Sequence, residues 1–97
     1  MSVYICLVNY TDQGIRNIKS VPSRVDASRA LAKSLRGEIK DIYLTLGAYD
    51  VVLVLEMPDD ETAAKFALAV SAQGNVRMST LRAFTEPEFR QIVTNLP

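Results

Sequence analysis

Residues 38–56, EIKDIYLTLGAYDVVLVLE, hold two runs of alternating apolar residues on either side of the pair Gly47-Ala48. Glycine first in a two-residue loop is the preference of a type II′ hairpin turn. With that turn the register follows: Leu46 opposes Tyr49, Thr45 opposes Asp50, Leu44 opposes Val51, and so on down to Ile39 opposite Glu56. Side chains alternate across a sheet. One face then carries Ile42, Leu44, Leu46, Tyr49, Val51, Leu53 and Leu55, a layer for helices to cover. The other carries Asp41, Tyr43, Thr45, Asp50, Val52, Val54 and Glu56. Its apolar centre has polar groups at both ends, which fits neither a core nor an ordinary solvent surface.

The rest of the chain supplies the partners of this hairpin. Val3 to Tyr10 is rich in β-branched and aromatic residues and reads as a first strand. Pro22 suits a helix first turn with Ser20 as its cap, and Ala27, Ala30, Leu31 and Leu35 recur at helical steps. Gly37 is placed to end that helix as the left-handed residue. Asp59 or Asp60 caps a second helix with a stripe of Ala63, Phe66, Ala67 and Val70, ended by Gly74. NVRMSTLRAF is a fourth strand. Thr85 and Glu88 then stand at capping-box spacing before an amphipathic helix with Phe89, Ile92, Val93 and Leu96. The order β-α-β-β-α-β plus a terminal helix predicts an α+β, ferredoxin-like fold. Its four antiparallel strands would lie in the spatial order 4-1-3-2, in one domain over residues 1–97.

Composition excludes several functions. Eleven basic residues balance eleven acidic ones, so no clustered positive charge points to nucleic acid or an anionic membrane. No run approaches the ~18 apolar residues of a membrane span. The absence of histidine removes the commonest general base and the commonest metal ligand. No metal or other cofactor is expected. The lone Cys6 has no partner for an internal disulfide, which fits a cytoplasmic setting.

The first strand is also apolar on both sides, with Ile5 and Leu7 on one and Tyr4, Cys6 and Val8 on the other. Two helices shield one face of the sheet. A second copy of the chain is the simplest cover for the other, so a homodimer or higher homo-oligomer is expected. The terminal helix folding over that face is the competing explanation.

Two groups of polar residues are candidate binding sites. The end of strand one should lie beside Asp50, so Asn9, Thr11, Tyr43, Thr45 and Asp50 could line a cavity for a small polar or aromatic ligand. The same residues could instead organise turns through side-chain-to-backbone bonds. At the opposite end, Glu56 lies beside the start of strand one and Tyr4. If Leu81 and Ala83 face the helices, Arg82 and Thr80 join that end on the same face, making Tyr4, Glu56, Thr80 and Arg82 a second group. Gly47 and Tyr49 have structural explanations, in the turn and the core.

GAYD at 47–50, the opening NYTDQGI and the run GNVRMSTLRAFTEPEF resemble the bacterial GYD-domain family, collinearly over nearly the whole chain. The family's named motif falls on Gly47, Tyr49 and Asp50. The resemblance implies a ferredoxin-like fold related to the dimeric α/β-barrel proteins, in which two sheets pack face to face. Two functions are compatible with it. One is an oligomeric module that binds a small molecule or a protein partner at the sheet face. The other, by analogy with related barrels, is a cofactor-independent oxygenase- or isomerase-like enzyme acting in the inter-sheet cavity. The second needs Asp50 or Glu56 as base, Arg82 or Asn9 to steady an oxyanion, and Tyr43 to orient the substrate.

Overall fold

In a computed structural model describing residues 1–97, the elements run β1 (Ser2–Tyr10), α1 (Asp12–Arg16), a 3₁₀ turn (Ile18–Ser20), α2 (Val21–Ser34), β2 (Glu38–Leu44), β3 (Val51–Met57), α3 (Asp60–Ala72), β4 (Val76–Ala83) and α4 (Glu86–Thr94). The sheet order is β2-β3-β1-β4, with every neighbouring pair antiparallel. This is the expected ferredoxin-like α+β topology, read from the other edge. The short α1 and the 3₁₀ turn fill the connection between β1 and α2. No helix is long and apolar enough to cross a membrane.

Tyr4, Cys6 and Val8 of β1 pair with Leu55, Leu53 and Val51 of β3, and all six are buried on the helix side. Ala32 of α2 and Ala63 and Phe66 of α3 close over them. On α2 the buried stripe differs from expectation: Leu31 and Leu35 pack on the core beside Ala32, while Ala27 and Ala30 are exposed. Asp59 caps α3, its Oδ1 accepting the Thr62 amide at 2.8 Å. Ser20 lies at the start of α2 without capping it; its hydroxyl donates to the Asn17 carbonyl at 2.7 Å.

The end of α2 corrects the role expected for Gly37. Arg36 is the left-handed residue, at φ 65°. The Gly37 amide donates to the Ala32 carbonyl at 2.8 Å and the Arg36 amide to that of Lys33 at 2.9 Å, the paired bonds of a Schellman motif. Gly37 is needed for another reason: a Cβ there would collide with the Glu56 carbonyl and the Met57 side chain as β3 passes. Arg36 therefore carries strain that glycine would not. Arg36→Gly should stabilise the fold by about 0.5–1 kcal/mol. Left-handed strain of roughly 1–2 kcal/mol outweighs glycine's extra chain entropy of roughly 0.5–1 kcal/mol. A higher urea midpoint at unchanged slope would show it.

The hairpin keeps the expected register from Leu44↔Val51 to Asp41↔Val54 and then departs from it. A bulge at Lys40 sets Ile39 opposite Leu55, not Glu56. One extra residue reverses which face a strand's side chains occupy. Ile39 is thereby moved off the polar-ended face and into the core, where it is buried. The loop also differs from a two-residue II′ turn. The strands end at Leu44 and Val51, and the Thr45 amide donates to the Asp50 carbonyl at 2.8 Å to close a wider loop. Gly47 still has positive φ, at 124°, with open space where a Cβ would stand, so backbone conformation alone selects glycine there. The helices stop short of this loop. Leu46 is 98% exposed and Tyr49 39% exposed, so neither is the core residue the alternation suggested.

The terminal helix stands apart from the sheet. Thr85 and Glu88 form a reciprocal capping box at its start, yet every residue from Phe84 onward is exposed. The radius of gyration is 14.5 Å, against about 12.5 Å for a compact chain of this length. α4 does not cover the open face of the sheet, which removes the competing explanation for that face.

Candidate functional site

Cross-strand neighbours define the open face row by row. Tyr43, Val52, Leu7 and Ser79 form one row across β2, β3, β1 and β4. Asp41, Val54, Ile5 and Leu81 form the next, and Glu38, Glu56, Val3 and Ala83 the last. Beyond the first row Asn9 pairs with Arg77. The centre is aliphatic, and the surround is Asn9, Arg77, Ser79, Asp41, Glu38 and Glu56. An apolar centre inside a polar rim is the anatomy of a protein interface. Val52, Val54, Ile5 and Leu7 are half-buried, and Tyr43 and Leu81 are exposed.

At the Asp50 end the structure brings together Asn9, Thr45 and Asp50. The Asn9 side-chain Nδ2 donates to the Ala48 carbonyl at 2.9 Å. Asp50 is bonded twice to β1: its Oδ2 accepts the Tyr10 amide at 2.9 Å, and its own amide donates to the Val8 carbonyl at 2.9 Å. The Thr45 hydroxyl donates to the Tyr49 carbonyl at 2.6 Å. The Asn9 and Asp50 side chains extend the β1–β3 pairing past the last regular residue, with a carboxylate standing in for a backbone acceptor, while Thr45 closes the β2–β3 loop. Tyr43 lies nearby on the open face, one row in. Thr11 does not belong to the group. It accepts the Gly14 amide at 3.1 Å to cap α1 and donates to the Gly74 carbonyl at 2.6 Å, tying β1 to the α3–β4 loop.

The second expected group is divided by the sheet. Glu56 lies on the open face, in register with Val3. Tyr4 is in register with Arg82 and Cys6 with Thr80, so these four take the helix side, while Leu81 and Ala83 take the open one. Arg82 meets Asp60 instead of Glu56, at 3.8 Å. Asp60 Oδ1 also accepts the Tyr4 hydroxyl at 2.5 Å. The guanidinium lies 5.7 Å from the Tyr4 ring and 4.5 Å from that of Phe84, and its Nη1 donates to the Ala83 carbonyl. Glu56 and Arg82, one expected pairing of base and oxyanion donor, are thus on opposite faces, whereas Asp50 and Asn9 lie together at the loop end with Tyr43 one row in. The Tyr4–Asp60–Arg82 cluster was missed from the sequence because Asp60 is 56 residues from Tyr4. Its place in the first turn of α3 suggested only a cap.

Burial, and then the bond to Asp60, push the Tyr4 hydroxyl above its ordinary value of 10.0. Burial likewise raises the Cys6 thiol above 9.0, only partly offset by the Thr80 hydroxyl at 3.8 Å. The folded chain holds the Tyr4 proton at a pH where the unfolded chain has lost it. The linked stability is therefore complete below pH 10 and is lost as the pH rises through the folded value. Tyr4→Phe should flatten the alkaline limb of the stability curve above pH 10, leaving the Cys6 share that begins nearer pH 9. Urea unfolding of both proteins between pH 8 and pH 11.5 would check this.

The chain is therefore a ferredoxin-like α+β domain whose second sheet face is uncovered, apolar at the centre and polar at the rim. The GYD domain family model matches residues 4–93, and the chain belongs to that family. It is 31% identical over 84 residues to the "glutamine synthetase and cystathionine beta-lyase binding protein" of Thermus thermophilus, a match covering 86% of this chain and 88% of that one. Among solved structures, MtbAldR superposes with a TM-score of 0.68 at 20% identity over 88% of this chain. The Mycobacterium tuberculosis leucine response regulatory protein LrpA gives 0.58 at 14% over 87%. TTHA0845 of Thermus thermophilus gives 0.56 at 22%, covering 88% of this chain and 95% of that protein. The chain spans about half the length of the first two, 52% and 51%. At these identities the likeness is one of fold.

Proposed function

We propose that this chain is an oligomeric binding module in which a second copy covers the open sheet face, the two sheets packing face to face as in a dimeric α/β barrel, and that the assembly binds another protein. The observation that carries the reading is the open face itself, with Ile5, Leu7, Val52 and Val54 at its centre and no helix of the same chain over them. A stable interface buries roughly 1,200–2,000 Å² in total. A four-stranded sheet face is a continuous surface suited to that scale, and a two-fold axis makes it self-complementary. The name of the Thermus thermophilus relative supports a protein partner. A cytoplasmic setting agrees with the unpaired, buried Cys6.

Native mass spectrometry on gently purified protein tests the assembly. A dimer or higher oligomer is expected, with partner proteins co-purifying in proportion to the oligomer. A monomer at micromolar concentration would defeat the reading.

A further inference from the structure

On the helix side, α2 and α3 leave a cavity of about 440 Å³ over the half of the sheet nearest the β2–β3 loop. This lies within the roughly 300–1,000 Å³ of small-molecule pockets. Val8, Val51, Leu53 and Met78 line its sheet side, with Val25 and Val70 reaching it from α2 and α3. Arg24, on the first turn of α2, is the one charged side chain in the lining.

The condition of Arg24 indicates the occupant. It is half-buried, and none of the chain's three salt bridges includes it. Its donors reach only two backbone carbonyls, Asn17 at 3.3 Å and Gly14 at 3.4 Å, both long. The ring of Tyr10, also in the lining, lies 6.0 Å from the guanidinium. A half-buried guanidinium without an acidic partner favours a counter-charge, and its planar fork matches a carboxylate with two parallel bonds. The remaining walls are largely branched aliphatic, a lining that favours an apolar ligand body by removing its surface from water. Both features are met by one kind of molecule, an aliphatic body ending in a single anionic group.

We propose that this cavity binds a small aliphatic carboxylate, its chain among Val25, Leu53, Val70 and Met78 and its carboxylate on Arg24. The site is on the opposite side of the sheet from the interface proposed above. Binding here therefore does not depend on self-association, and either can fail without the other.

Decanoate is the probe, titrated into the full chain and followed by backbone amide shifts. Saturable shifts should cluster at Val8, Val51 and Val70. Arg24→Met should weaken decanoate by about tenfold or more, as expected for lost charged hydrogen bonds, and leave decanol unchanged. Val70→Trp, which fills the cavity, should remove both ligands. Circular dichroism checks that each variant is folded. If Val70→Trp does not fold, the decanoate–decanol contrast in Arg24→Met decides alone. No saturable decanoate binding, shifts confined to the open face, or equal affinity in the wild type and Arg24→Met would overturn the proposal.

Discussion

Phe66→Ala should lower the stability of the fold by about 3–5 kcal/mol, the usual cost of removing a fully buried aromatic side chain. Phe66 is 0% exposed and is the largest fully buried side chain of the chain. It projects from α3 into a core of eleven buried hydrophobic residues shared with Leu55, Met57 and Cys6. Such a small core has little with which to refill the space. Domains of this size are stable by only about 5–15 kcal/mol, so the variant should lose about a fifth of the total at the least and most of it at the low end of that range. Leu68, on the same helix but 71% exposed, provides the control: Leu68→Ala should stay within about 0.5 kcal/mol. Urea unfolding at one fixed protein concentration would measure both, since association adds to apparent stability. A loss below about 1 kcal/mol at Phe66 would mean that α3 is not packed on the sheet as described.

The fold was legible because the alternation around Gly47 and the helical stripe of Ala63, Phe66, Ala67 and Val70 repeat on different periods. Each period admits only one element type. Topology followed from element order. What failed to show was local. The bulge at Lys40 comes from a single extra residue, and its one trace in the sequence is that Ile39 and Ile42 are three apart within an otherwise alternating strand. In β4 the apolar residues Val76, Met78 and Leu81 change parity midway, so the strand reads equally well with either face inward. Arg82 takes the helix side because that side ends at α3, where a long side chain can pass over the Tyr4 ring and reach Asp60 near water. The pairing of Asp50 with the Tyr10 amide was legible only as proximity. Which group a carboxylate accepts from depends on where the regular ladder stops. The two-sided apolar character of β1 and β3, by contrast, was plain from residue types alone, and it is the feature on which the functional reading rests.

Val54→Lys is expected to separate the copies while leaving each one folded. Val54 lies in a central strand between Asp41 of β2 and Ile5 of β1, on the side no helix covers. In an isolated chain the new ammonium stands in water above a neighbouring carboxylate, so the helix-side core is untouched. In a face-to-face pair the same ammonium is taken out of water near the centre of the interface, and two-fold symmetry introduces it twice. Taking an ammonium out of water costs several kcal/mol even beside a carboxylate such as Asp41. Association should fall by about a thousandfold or more, since each 1.4 kcal/mol is a factor of ten. Sedimentation equilibrium on the wild type and Val54→Lys would read the change, with circular dichroism to check the fold. Leu68→Lys, on the outer side of α3, should leave association unaltered. If Val54→Lys is folded and monomeric and also loses its protein partner, then binding requires the assembled pair of sheets. A folded monomer that keeps its partner would place the partner on a surface a single chain supplies, such as the apolar face of α4 with its exposed Phe89, Ile92 and Val93. A Val54→Lys protein that remains an oligomer of unchanged affinity would show that the copies meet elsewhere, because a face-to-face pair would have to desolvate both lysines at its centre.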